Sequence, residues 1–129
     1  MLANGVQKAL KKYSWLDVND YASLLHLASG FRVVELNVQP NDWVAHASLQ
    51  ELQLDKEGLL ILGITRENGD YLAVPSGGTE IRPGDTLLVY GHESLLERLD
   101  DRKIGPEGDF DHQDAMAQRS RFEERRNAR

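Results

Sequence analysis

Residues Gly58 to Gly91 read GLLILGITRENGDYLAVPSGGTEIRPGDTLLVYG and hold the most informative pattern in the chain. Residues 59–64 are apolar at nearly every position, and the run is too short for a long helix. Such a run predicts either a central strand or a strand whose second face meets another subunit. Asn68-Gly69 favours the positive φ angles of a type I′ turn, so residues 70–74 should return as the second strand of a hairpin.

The residues on either side of this hairpin predict two more strands and two helices. Residues 31–38 alternate between apolar and polar, as a half-buried strand does. Ser48 and Glu51 have the spacing of a capping box and should begin a short helix. A last strand is predicted at 86–90 and a helix at 93–99. The predicted fold class is α+β, with a small mixed or antiparallel sheet and flanking helices in the order β-α-β-β-β-α.

Residues 1–30 are predicted to form a helical hairpin ahead of the sheet. Between Leu2 and Leu16 the apolar residues recur at helical spacing, and three lysines lie on the other side. This amphipathic helix could cover the domain. It could also be a juxtamembrane connector, because lysines followed by a tyrosine and a tryptophan suit the cytoplasmic side of a bilayer. A second short helix is predicted from Asp20 to Leu27, ended by Ser29-Gly30.

The last segment, residues 101–129, differs in composition from the predicted domain at 31–100. It is charged throughout, turn-rich at first and arginine-rich at its end, with almost no aliphatic side chains. A segment of this kind cannot bury enough apolar surface to offset the entropy lost on ordering. We therefore predict a mobile polar tail, with no more than a transient helix around residues 115–126.

Composition limits the classes of function. A chain of 129 residues has room for one domain with short appendages. Its net charge of −6 falls entirely on residues 1–100, which disfavours nucleic acid as a partner. There are no cysteines, and no run of about 20 apolar residues that could span a membrane. We expect a cytoplasmic protein, or the cytosolic domain of an inner-membrane protein.

No combination of residues predicts catalysis. None of the four histidines lies at a metal-ligand spacing from another, and the acidic cluster around His112 lacks the EF-hand pattern. A G-x-S-x-G nucleophile elbow does not occur. The loop Ser76-Gly77-Gly78-Thr79 could cradle an anion with its amides, but an ordinary hairpin loop is the better interpretation. We therefore expect no enzyme activity, no metal and no cofactor.

Several short segments fall in the order and spacing of a known family. They are Val33-Val34-Glu35-Leu36-Asn37-Val38, Ser48-Leu49-Gln50-Glu51-Leu52, Gly58-Leu59-Leu60-Ile61-Leu62-Gly63-Ile64-Thr65-Arg66, Asn68-Gly69, Val74-Pro75, Ile81-Arg82-Pro83-Gly84-Asp85 and Leu87-Leu88-Val89-Tyr90-Gly91. With the helix that follows, the chain from Phe31 to Leu99 resembles the TrkA-C domain, the C-terminal domain of RCK potassium-conductance regulators.

This resemblance implies a compact domain that pairs with itself as a homodimer and serves the cytosolic side of a channel or transporter. In such regulators a small ligand, in some members cyclic di-AMP, binds at the dimer interface and gates transport. The usual Rossmann domain has no counterpart in this sequence, so no NAD or ATP site is expected. Asp55-Lys56-Glu57 lies where members that bind cyclic di-AMP tend to have an arginine, which disfavours cyclic di-AMP by charge repulsion.

We predict a ligand site lined by Leu59, Leu60, Arg66, Pro75 and Ser76. Arg66 follows the apolar strand, and a guanidinium at the end of a sheet can hold an anion through two hydrogen bonds. The alternative is that Arg66 pairs with an acid of its own hairpin. The predicted function is ligand sensing and dimerisation for a potassium or other ion transport system. The rival hypothesis is a purely structural dimerisation or adaptor module without a small ligand.

Overall fold

The computed structural model describes residues 30–127. The predicted helical hairpin of residues 1–30 therefore lies outside the described residues, apart from Gly30. The elements, in chain order, are β1 (Phe31–Asn37), α1 (Leu49–Leu52), a 3₁₀ helix (Leu54–Glu57), β2 (Leu60–Thr65), β3 (Tyr71–Ala73), β4 (Thr86–His92), α2 (Glu93–Asp101) and α3 (Pro106–Asn127).

The four strands form one antiparallel sheet in the order β1-β4-β2-β3. β2 therefore lies between β4 and β3. Because Leu60 of β2 is 52% exposed, the alternative that the second face of this strand meets another subunit stays a prediction. The register of β2 against β4 shifts between Ile61 and Gly63, where the strand bulges. Up to α2 the element order matches the predicted β-α-β-β-β-α arrangement, and the α+β fold class is confirmed.

The hairpin between β2 and β3 closes at the predicted place but with a different turn. The amide of Gly69 donates to the carbonyl of Arg66, and the amide of Arg66 donates to the carbonyl of Asp70. Gly69 has φ +98°, whereas Asn68 is not among the residues with positive φ. A type I′ turn needs positive φ at both central residues, so that prediction is wrong. The loop is a turn followed by a left-handed glycine.

Only one face of the sheet, here called the inner face, lies against the core. Leu87 and Val89 of β4 and Ile64 of β2 have no solvent exposure. Leu96 and Leu99 of α2 belong to the same buried cluster. Residues directly opposite each other across antiparallel strands share a face. The residues of β1 and β4 that alternate with the inner-face residues therefore form the outer face.

α1 begins with the predicted capping box and the chain turns sharply after it. The Ser48 side chain accepts from the amide of Glu51, and the Glu51 carboxylate accepts from the amide of Ser48. Gln53 then adopts a left-handed conformation with φ 51°, and Gly58 does the same with φ 99°. These two turns place the 3₁₀ helix between α1 and β2.

The segment predicted as a mobile tail instead contains the longest helix of the described residues. In α3 the buried residues are Gly108, His112 and Ala115, spaced so that they share one side of the helix. The prediction failed because it counted aliphatic side chains. α3 is held by a close approach at Gly108 and by buried ion pairs, which contribute nothing to such a count.

Candidate functional site

A groove of about 390 Å³ opens between the 3₁₀ helix and the loop that follows β3. Its lining residues are Leu49, Gln50, Gln53, Leu54, Asp55, Lys56, Leu59, Leu60, Ile61, Pro75 and Gly77. Small-ligand sites commonly have volumes of about 300–1,000 Å³ and combine apolar walls with a few polar groups. The groove has that composition, and its two charged groups, from Asp55 and Lys56, are of opposite sign.

Backbone hydrogen bonds tie the two walls of the groove together. The amide of Gln50 donates to the carbonyl of Gly77 at 2.8 Å, and the amide of Leu49 donates to the carbonyl of Thr79 at 3.0 Å. A Cβ added to Gly77 would lie 3.3 Å from the Cβ of Gln50, so the loop approaches α1 closely because residue 77 lacks a side chain. The groove is therefore held open by fixed backbone geometry.

Three of the five predicted site residues border this groove, but they differ in exposure. Leu60 is 52% exposed, whereas Leu59 is only 2% exposed and packs toward Gly91 in the core. Pro75 lines the opposite wall. Ser76 lies between two lining residues, but its hydroxyl is 3.3 Å from that of Thr79 and it does not line the groove.

Arg66 is not part of the groove. Its guanidinium bonds to the Asp85 carboxylate at 2.6 Å and to the carbonyl of Glu80 at 2.9 Å. The Asp85 side chain is 2% exposed and also accepts from the amide of Arg82. Arg66 therefore pairs with an acid, as the alternative interpretation held, although the acid lies in the turn before β4 instead of in its own hairpin.

A second polar cluster lies on the far side of the 3₁₀ helix. The Glu57 carboxylate accepts two hydrogen bonds from Arg102, at 2.8 and 2.9 Å, and contacts Nδ1 of His112. The side chains of Glu57 and Arg102 are each 1% exposed. Trp43 covers the cluster, with its ring 4.7 Å from the His112 ring and 4.8 Å from the Arg102 guanidinium carbon.

Two further acid-base pairs extend this cluster toward the surface. Asp111 bonds to both Arg98 and Arg102. Partial burial would raise the pKa of Asp111, but the hydrogen bonds from Arg98 and Arg102 outweigh it and hold the pKa below its usual range. Burial would likewise lower the pKa of Arg102, but its hydrogen bonds to Glu57 and Asp111 raise it overall. Both groups are charged in the fold.

This arrangement changes the interpretation of the Asp55-Lys56-Glu57 link. Only Asp55 and Lys56 face the groove, because Glu57 turns away and is neutralised by Arg102. Of the two acids predicted to repel phosphate, only Asp55 therefore remains at the groove. Sequence reasoning missed Glu57 and Arg102 because they are 45 residues apart and neither belongs to a recognisable motif.

Across residues 30–127, none of the helices combines the length and the hydrophobicity that a membrane span requires. Residues 30–127 also contain no group of three or more histidine and acidic side chains placed to hold a metal ion.

The family model of the TrkA-C domain matches residues 33–103, from β1 to just beyond α2. The chain belongs to the TrkA-C domain family. The matched region contains the sheet, the groove and Glu57 with its partner Arg102. The TrkA-C match ends before α3, so His112 and Asp111 are contributed by a helix outside the matched region.

Two solved structures are similar to this TrkA-C chain. One is described as the GsuK channel bound to NAD, with 20% sequence identity and a TM-score of 0.48 over 73% of this chain. The other is the crystal structure of the GsuK RCK domain, with 19% identity and a TM-score of 0.45 over 73% of this chain. The chain spans only 17% and 20% of those two chains, respectively.

Proposed function

We propose that this chain is a non-catalytic regulatory domain of a potassium or other cation transport system, and that it responds to a small ligand. Its TrkA-C membership is the observation that carries the transport assignment. The proposed ligand site is the groove beside the 3₁₀ helix. Its partner in this proposal is a membrane channel or transporter subunit.

The groove favours a ligand with one apolar part and one anionic part. Leu60 and Pro75 offer apolar contacts, while Lys56 offers one cation at the rim. No acidic side chain of the described residues lies within ion-pair distance of Lys56, so its ammonium group is free to bind an anion. A nucleotide has both parts. Regulation follows if the ligand binds one arrangement of the domain better than another.

Isothermal titration against mononucleotides, cyclic dinucleotides and small anions tests the ligand site. Leu60 is 52% exposed, so covering it would complete about half of its burial, worth roughly 0.8–1.5 kcal/mol. Leu60→Asn should therefore weaken binding about four- to tenfold. Phe110→Asn is the matched control, because Phe110 is 71% exposed on α3 and does not line the groove. If no compound binds, or both variants bind equally, the groove is not the site.

A structural dimerisation module without a ligand is the second candidate. It is favoured by three exposed apolar side chains on the β2–β3 hairpin and just after it, namely Leu60, Tyr71 and Val74. Val74 is 80% exposed and has φ 45°, a strained conformation for a β-branched residue. Sedimentation velocity should show a dimer that Tyr71→Asp dissociates, and a monomer at all concentrations would reject dimerisation in either candidate.

A further inference from the structure

The 3₁₀ helix separates the groove from α3. Three of its four residues line the groove, and two of these, Asp55 and Lys56, also line a second cavity of about 470 Å³. The other residues around this second cavity belong to α3 and are Met116, Arg119, Ser120 and Glu123. The fourth residue, Glu57, turns away from the groove to Arg102 and His112. One short segment is therefore both a wall of the groove and the surface on which α3 docks.

The backbone of this segment is held by hydrogen bonds that stay within a few residues. The amide of Lys56 donates to the carbonyl of Gln53, and the amide of Leu59 donates to the carbonyl of Leu54. The chain reverses at both ends, with left-handed φ angles of 51° at Gln53 and 99° at Gly58. A single turn of 3₁₀ helix has poor hydrogen-bond geometry and is marginal by itself. Its position on the domain therefore depends on what its buried side chains contact.

α3 packs over the end of this segment. His112 contacts the Glu57 carboxylate. Farther along α3, Arg119 lies over Gly58, where an added Cβ would be only 2.8 Å from the guanidinium nitrogen Nη1. If α3 undocked, Glu57 would meet water, and its ion pair would weaken because charges interact less strongly in a high dielectric. The segment would then keep only Leu54 as a buried side chain.

α3 can leave the domain without loss of the core. Of its 22 residues, only Gly108, His112 and Ala115 are buried. Among residues 30–127, the core cluster includes none from α3. Elements with few buried apolar contacts open at a lower free energy than the core of a domain does. We therefore expect α3 to undock while the sheet stays folded.

We propose that docking of α3 sets the affinity of the groove for its ligand. Docked α3 holds Glu57 and Gly58 and so keeps Asp55 and Lys56 in place, which preorganises the groove. Undocking leaves the wall in several conformations, and the apparent affinity falls by the fraction that remains competent to bind. Because coupling between two sites is reciprocal, a ligand in the groove in turn tightens the docking of α3. This inference rests on the proposed function, since the groove is the ligand site assigned there.

Amide hydrogen exchange followed by NMR tests the coupling without any ligand. In Ala115→Asp a charge replaces a side chain that is 2% exposed, so α3 should undock and its own amides should lose protection. The amides of Lys56, Gly58 and Leu59 should then exchange at least about tenfold faster, while those of β4 keep their rates. Ala117→Asp is the matched control and should change none of these rates, because residue 117 is exposed on the same helix. Undocked α3 with unchanged exchange at the three wall amides would refute the proposal.

A milder variant decides the question if Ala115→Asp unfolds the whole domain, which loss of protection in β4 would reveal. In Gly108→Ala the added Cβ would lie 2.1 Å from the carbonyl oxygen of Lys103, so it pushes α3 outward without adding a charge. Faster exchange at the wall amides than in β4 supports the coupling in this variant. Loss of protection in α3 alone contradicts it.

Isothermal titration with AMP and GMP tests the effect on affinity. A nucleotide that binds the unaltered chain should bind Ala115→Asp at least about fivefold more weakly and Ala117→Asp equally well. It should also slow amide exchange in α3 of the unaltered chain. Equal affinity for both variants refutes the coupling and leaves the proposed function standing. If neither nucleotide binds, the proposed function loses its nucleotide ligand, and the exchange rates alone decide whether α3 holds the wall.

Discussion

Replacing Arg102 by methionine should undock α3 and lower the free energy of unfolding by about 3–5 kcal/mol, toward the lower end of that range. The Glu57 carboxylate, 1% exposed, would lose both of its hydrogen bonds to Arg102 and keep only its contact with His112. Removing one partner of a buried ion pair costs about 3–5 kcal/mol, because the other charge remains buried. The remaining His112 contact and the Arg98 bond to Asp111 are the reason for expecting the lower end.

Urea unfolding followed by far-UV circular dichroism measures this loss. Arg32→Met is the matched control, because it removes an arginine–glutamate pair with exposures of 56% and 47%. Exposed pairs typically contribute about 0.2–1 kcal/mol. In a Trp15→Phe background, the fluorescence of Trp43 reports locally on the cluster, since the Trp43 ring contacts both Arg102 and His112.

The double variant with Glu57→Leu and Arg102→Met separates the buried charge from simple loss of packing. Because it leaves no unpaired carboxylate, it should be at least about 1 kcal/mol more stable than Arg102→Met alone. If Arg102→Met costs no more than Arg32→Met, or if the double variant is the less stable one, the cluster does not hold α3 through its charges.

Three other outcomes are expected from the same structure. Gly108→Ala should lower the free energy of unfolding by about 1–3 kcal/mol, because the added Cβ would lie 2.1 Å from the carbonyl oxygen of Lys103. Gly78→Ala is the control and should be neutral in the same unfolding assay, because its Cβ would have no atom within 4 Å. The pKa of Asp111 is lowered in the fold, so its contribution to the free energy of unfolding is complete above about pH 4 and is lost as the pH falls further. Acid titration of α3 helicity should show this loss, and Asp111→Asn should abolish it. Ser48→Ala removes the capping hydrogen bond and should lower the free energy of unfolding by about 1 kcal/mol in thermal unfolding. It should leave the loss of α3 helicity at low pH unchanged.

The predictions that held depend on residues close together in the chain. The capping box needs only Ser48 and Glu51, and the hairpin needs only an apolar run, a turn and a second run. Local patterns of this kind are readable because hydrogen bonding and side-chain alternation act over two to four residues. The turn type was missed because Gly69 alone takes positive φ, and the choice between turn forms depends on the register of the strands.

The predicted site shows the limit of the same reasoning. Leu60 and Pro75 line the groove, but Arg66 bonds to Asp85, nineteen residues away in sequence. An arginine at a strand end can bind an external anion or a nearby acid, and only its surroundings in the fold decide between them. Leu59 was also predicted to line the site, yet it is 2% exposed and packs toward Gly91 in the core.

The α+β class, the succession of strands and helices and the TrkA-C pattern could all be predicted from the sequence, because alternation, turns and caps depend on neighbouring residues. Two features could be seen only in the folded chain. Residues 106–127 form a docked helix in place of a mobile tail, and Glu57 faces Arg102 and His112 instead of the groove. The physical reason is that a buried ion pair forms between residues that only folding brings together, and its strength comes from their removal from water.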